Sequence, residues 1–160
     1  MSVVIDLFQG LHDELSTRLA PLVIERRYMP RRDGADLDEL KIALYMESTV
    51  RQEIVRDVVD AESYTFGIAV QLTAAEQVEF DDNGEPVYDG IDNLERGDAV
   101  INQMEAIKDL WRAGGELRNL EIAKCTFAEF SHDPIYEPYH LAIMGVYSSI
   151  LDVTYQLTGS

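Results

Sequence analysis

Apolar residues recur at two different periods along this chain, and the change between them lays out its elements. From Asn93 onward, Leu94, Val100, Ile101, Met104, Ile107, Leu110 and Trp111 return at three- and four-residue steps, forming one stripe of a long helix. Asn93 is suited to cap that helix, and the Gly114-Gly115 pair to end it. Beyond the glycines the period becomes two. Ile122, Lys124, Thr126, Ala128 and Phe130 alternate as one strand, and a last strand sets Leu151, Val153, Tyr155 and Leu157 against Ile150, Asp152, Thr154 and Gln156. A helix with one apolar stripe needs a surface to cover, and these strands supply it.

The chain opens with a second helical stripe, Val4, Leu7, Phe8, Leu11, Leu15 and Leu19, which Pro21 stops. Val23 to Met29 reads as a strand, Pro30 to Gly34 as a polar loop, and Leu40 to Tyr45 as the next strand. From Glu47 to Glu62 the spacing of Val50, Ile54, Val55, Val58 and Val59 suits a helix while their β-branching suits a strand. The favoured reading is an exposed arm or long hairpin leading into strand three, where Tyr64, Phe66, Ile68, Val70 and Leu72 alternate cleanly. Glu76 to Asp92 is an acidic loop whose Asn83-Gly84 and Pro86 are turn chemistry.

Counted in order, the elements run α-β-β-β-α-β-β. Strands grouped around a helix, without regular alternation, predict an α+β fold with a mostly antiparallel sheet and two helices packed on one face. The predicted core comprises Leu7, Phe8, Leu11, Leu15, Ile42, Phe66, Ile68, Met104, Ile107, Trp111 and Phe127. No segment repeats and no linker interrupts the 160 residues, so one domain is expected throughout.

Charge narrows the partners. Thirty acidic residues against 13 basic ones leave a formal charge of -17, which argues against tight binding to nucleic acid or anionic lipid. Glu25-Arg26-Arg27 with Arg31-Arg32 is the one basic cluster of note, and a solvated loop accounts for it better than a phosphate track. No stretch reaches the roughly 20 apolar residues of a membrane span, and the start lacks the pattern of a secretory signal, so a soluble, unprocessed chain is expected. The lone Cys125 allows no internal disulfide and reads as a small core residue.

Candidate chemistry is sparse. Glu79, Asp81, Asn83 and Gly84 fall at positions 1, 3, 5 and 6 of a calcium loop, but position 12 is Gly90 where a bidentate Glu is needed, so a solvated hairpin tip is the better reading. His12 is remote in sequence from His132 and His140, and that pair lacks zinc-site spacing. Nucleophile-elbow, phosphate-loop and dinucleotide motifs are missing. Neither a metal nor a cofactor is expected, and an enzyme is the weaker hypothesis. Ser131 to Tyr139, with Pro134, Tyr136, Pro138 and Tyr139, combines stiffening prolines with tyrosines that offer contact area at low entropic cost, which suits a fixed contact surface. A plain rigid crossover is the competing reading.

An N-terminal helix, a proline loop after the first strand, a long helix carrying Val100-Ile101-Asn102-Gln103-Met104-Glu105-Ala106-Ile107, a Pro-x-Tyr turn and a closing Leu151-Asp152-Val153-Thr154-Tyr155 together resemble the tail terminator proteins of long-tailed bacteriophages and prophages. The resemblance implies an α+β virion protein at the head-tail junction, assembled in the host cytoplasm. It would form a six-membered ring on the tail tube, end tube polymerisation and meet the head connector, with DNA passing through its opening. It implies no catalytic residues. The expected interface residues are Met29, Pro30, Arg31, Arg32, Val50, Arg51, Ile54, Arg56, Pro134, Tyr136, Pro138 and Tyr139. The alternatives are another connector or neck protein and, from a different class, a small acidic ligand-binding or enzymatic domain.

Overall fold

The structure, a computed structural model, describes residues 2–28, 39–54, 59–73, 79–80, 82–84, 86–87, 94–132 and 146–157, with the backbone alone along 48–54, 59–61, 73, 79–80, 86–87 and 94. Its first helix, α1 (Val3–Arg18), begins where the Ser2 hydroxyl accepts from the Ile5 amide, and it buries Leu7, Phe8, Leu11 and Leu15. A short strand, β1 (Ile24–Arg27), runs parallel to β2 (Lys41–Ile54). The connection from 28 to 40 is long enough for the crossover that parallel neighbours need. Strand β3 (Val59–Thr73) pairs antiparallel with β2, and a small hairpin of β4 (Glu79–Phe80) and β5 (Pro86–Val87) precedes helix α2 (Leu94–Lys108). Strands β6 (Cys125–Ser131) and β7 (Val146–Leu157) complete a five-stranded sheet of order β1-β2-β3-β7-β6. The fold is α+β, with two helices among the described residues and a sheet antiparallel at every rung except β1 against β2.

Both helices pack against one face of the sheet. Tyr64, Phe66, Ile68, Val70 and Leu72 of β3 share that face with Ile42 and Leu44 of β2 and with Leu151, Val153 and Tyr155 of β7; Val100, Met104 and Ile107 of α2 join them in one cluster with the α1 stripe. Of the predicted core residues, all but Phe127 are at most 2% exposed, and Phe127 is half-buried against the cluster.

Three local expectations change. Helix α2 ends at Lys108, so Leu110 and Trp111 lie in the following turns, where the Trp111 amide donates to the Lys108 carbonyl at 3.0 Å; Trp111 is fully buried all the same. The strand read from Ile122 starts at Cys125. Ala123 and Lys124 have φ of 50° and 65°, and Ile122 and Cys125 exchange bonds of 2.9 and 2.8 Å, which is a two-residue type I′ turn. A bulge between Phe127 and Glu129 then shifts the register, so the inward residues are Cys125, Phe127 and Phe130, and Ala128 is exposed. The Val23–Met29 strand contracts to Ile24–Arg27.

Trp111 occupies the end of the core farthest from β1. Its Nε1–H donates to Tyr155 Oη at 2.9 Å, its ring lies 6.5 Å from Phe127, and Phe127 meets Tyr155 edge-on at 6.1 Å. Trp111→Ala is expected to cost about 3–5 kcal/mol in denaturant unfolding, as aromatic truncation in a packed core does; near wild-type stability would refute this packing.

Candidate functional site

The sheet runs unevenly, and that unevenness makes its most distinctive surface. Strand β7 pairs with β3 only from Ser63 to Thr73, and β1 pairs with β2 only from Ile42 to Tyr45. Strands β2 and β3 nevertheless stay paired out to Ile54↔Val59. The last four rungs, Arg51↔Glu62 to Ile54↔Val59, therefore form a two-stranded ribbon with no third strand on either side among the described residues. At about 3.3 Å per rung the ribbon extends roughly 13 Å past the sheet. Of the two readings of residues 47–62, the long hairpin is the one observed, with Val50, Arg51 and Ile54 at register positions in it or at its root.

A bulge lies three rungs before the ribbon, within the sheet. Met46 pairs with Phe66 and Ser48 with Thr65, leaving Glu47 as the extra residue. Glu47 lies on the sheet face opposite the helices, where Tyr45, Gly67 and Asp152 form one row across β2, β3 and β7. The Tyr45 ring covers Gly67 so closely that a Cβ there would sit 2.2 Å from Tyr45 Cζ. In the next row the Thr65 and Thr154 hydroxyls bond at 2.9 Å. Glu47 is an exposed residue whose carboxyl lies within hydrogen-bonding reach of Asp152, and Asp152 Oδ1 is buried without a hydrogen-bond partner among the described residues. The bond to Asp152, partial burial and the Asp152 charge push the Glu47 carboxyl up to about 7.

Tyr155, Cys125, His12 and His132 are held in the core or between elements. Burial, opposed by the bond from Trp111, pushes the Tyr155 phenol up to about 12. Burial, with the charges of Glu121 and Glu62, pushes the Cys125 thiol up to about 11, far from nucleophile chemistry at neutral pH. His12 Nε2–H donates to the Ile24 carbonyl at 2.8 Å, tying α1 to β1, and His132 Nε2 meets Ser149 Oγ at 2.7 Å. No group of three metal-ligating side chains forms among the described residues, and Glu79 and Phe80 pair with Val87 and Pro86 in the β4–β5 hairpin, with Gly84 at a φ of 78°. A cleft of about 310 Å³ lies between the α1–β1 turn and the start of β2, lined by Pro21, Leu22, Val23, Glu25 and the 39–42 segment.

Two members of the basic cluster, Arg26 and Arg27, are engaged within the chain. Arg26 lies 4.7 Å over the Phe8 ring and donates to Gln9 Oε1 at 2.7 Å, while Arg27 pairs with Glu25 at 3.4 Å. Met29, Pro30, Arg31, Arg32, Arg56, Pro134, Tyr136, Pro138, Tyr139 and His140 lie outside the described residues. The Glu47–Asp152 pair escaped the sequence because the two residues stand on strands that are neither consecutive nor adjacent; only the pairing register brings them together. No family model matches the chain, and no curated protein matches it in sequence.

The sign of the pH effect follows from the raised value. The folded chain holds a proton on Glu47 that the unfolded chain releases near 4.5, so the contribution of the pair to stability is complete below that pH and is lost as pH rises through about 7. Carboxyl ¹³C titration is expected to find Glu47 near 7, and in Asp152→Asn back toward 4.5. An ordinary value in the wild type, or no change in the variant, would remove the contact.

Proposed function

We propose that the chain is a structural assembly protein of the tail-terminator kind, whose copies join in a ring that ends a phage tail tube and meets the head connector. The ribbon carries this reading. Unpaired strand edges on a projecting hairpin bind other chains through backbone hydrogen bonds, and a protein that keeps such edges exposed does so for a partner. The partners in this reading are further copies of the chain, the tail tube protein and the connector, and the same ribbon would serve a neighbouring connector or neck protein. No helix of the described residues is long and apolar enough to cross a membrane.

Electrostatics sets the conditions of assembly. Each subunit brings a formal charge of -17, and in a ring the like charges repel until salt screens them, over roughly 8 Å at physiological strength. Arg18, Arg26, Arg27, Lys108, Arg112 and Arg118 are already engaged inside the subunit, which leaves fewer cations to pair across a seam. An acidic opening also repels phosphate and lets DNA slide through. Light scattering from low to high salt is expected to show association that strengthens with salt, with no retention of duplex DNA at physiological strength. A monomer at every concentration and salt, with a small molecule bound in the 310 Å³ cleft, would favour the ligand-binding alternative; tight DNA binding would contradict the conduit.

A further inference from the structure

We propose that the β2–β3 ribbon of one copy docks, by its apolar face, in the cleft between the α1–β1 turn and the start of β2 on a second copy. The inference rests on reading the chain as a self-assembling protein, and it names the two surfaces that meet. Register carries it. The extra residue at Glu47 changes the parity of β2, so that Ile42, Leu44 and Met46 stand on the helix side of the sheet while Val50 and Ile54 stand on the other. Strand β3 changes in step: from Tyr64 toward the ribbon its helix-side positions are Glu62 and Asp60, and its apolar Ala61 and Val59 fall on the far side. The ribbon is therefore two-sided. Rungs Arg51↔Glu62 and Glu53↔Asp60 make one side charged, whereas Gln52↔Ala61 and Ile54↔Val59, with Val50 before them, make the other largely apolar.

Two observations make a second copy the occupant. The cleft, of about 310 Å³, has an apolar lining of Pro21, Leu22, Val23, Leu40 and Ile42, of which Val23 is 78% exposed and Leu22 37%. It opens beside Lys41, where β2 begins, and the ribbon starts at Arg51 of the same strand, about 33 Å farther on at the usual rise per residue. One copy cannot fill its own cleft across that span. The ribbon of another copy can, and because the contact joins unlike surfaces it leaves one cleft and one ribbon open, so further copies add head to tail until a ring closes. Charge favours the same match. Over residues 21–28 and 39–42, around the cleft, Arg26, Arg27 and Lys41 outnumber Glu25 and Glu39 by one, whereas along the ribbon Glu53, Asp60 and Glu62 outnumber Arg51 by two. In a chain of formal charge -17 the two surfaces thus meet with opposite signs. Arg26 keeps its place over Phe8 and Arg27 its bond to Glu25, so charge steers the approach and burial of the apolar faces holds it.

Sedimentation of the full chain tests it with two blocked variants, Val23→Asp in the cleft and Ile54→Asp on the ribbon, each required to melt at the wild-type temperature. Where Ile54→Asp lowers the melting temperature, Val59→Asp on the same rung takes its place. The wild type is expected to associate as concentration rises, and each variant alone to need about tenfold more protein or beyond. An equal mixture of the two variants is expected to recover a two-copy species and nothing larger, because the open cleft of one meets the open ribbon of the other and the remaining surfaces are blocked. Variants that associate as the wild type does, or a mixture no more associated than its parts, would overturn the docking while leaving assembly through other surfaces standing. A wild type that stays monomeric at every concentration and salt would overturn both.

Discussion

The buried bond from Trp111 to Tyr155 is the contact on which the rest of the architecture rests. It joins the turn that follows α2 to the C-terminal end of β7, and β7 is the strand that pairs with both β3 and β6. Neither polar atom has water available, so each satisfies the other, and losing one partner leaves the second buried and unpaired. Arg118 reinforces the same corner by donating to the Trp111 carbonyl at 2.7 Å and lying 5.8 Å over Phe127. Arg18, paired with Glu14 and Glu116, ties α1 to the loop after α2. The two helices thereby hold one face of the sheet from opposite ends.

The other face of the sheet is covered at one end and opens toward the ribbon. It carries Ala43, Ala69, Gln71 and Ser148, all buried, with Gln71 Nε2 donating to Ser148 Oγ at 2.9 Å; toward the ribbon it changes to half-buried Thr65, Asp152 and Thr154 and exposed Glu47. Rigidity therefore falls toward the point where β2 and β3 run on alone. A projecting ribbon rooted in a rigid sheet is suited to reach a neighbouring chain, whereas a catalytic group needs the fixed surroundings found at the other end. That gradient is the physical basis for reading the molecule as an assembly component.

Much of this was legible in the sequence. The α1 stripe and the alternation of β3 and β7 are periodic signals over many residues, and each corresponds to an element of the structure, whereas the stop read at Gly114 falls beyond the end of α2 at Lys108. Single-residue events hid the remainder. The type I′ turn at Ala123-Lys124 lacks the glycine or asparagine that usually announces one, and the bulge after Phe127 inverts the inward side of β6 without changing its composition. The ribbon was ambiguous because valine and isoleucine at helical spacing satisfy both patterns, and pairing with β3 decided between them. Glu47 and Asp152 gave no signal, since in so acidic a chain two more carboxylates are unremarkable until the register aligns them.

A double-mutant cycle on Trp111→Phe and Tyr155→Phe tests the central contact most directly. Each single change leaves one buried polar atom without its partner, while the double change removes both, so the two costs are expected to be non-additive by about 1 kcal/mol or more in equilibrium unfolding. Additive costs would contradict the account, because they would mean that α2 and β7 are held together without that bond.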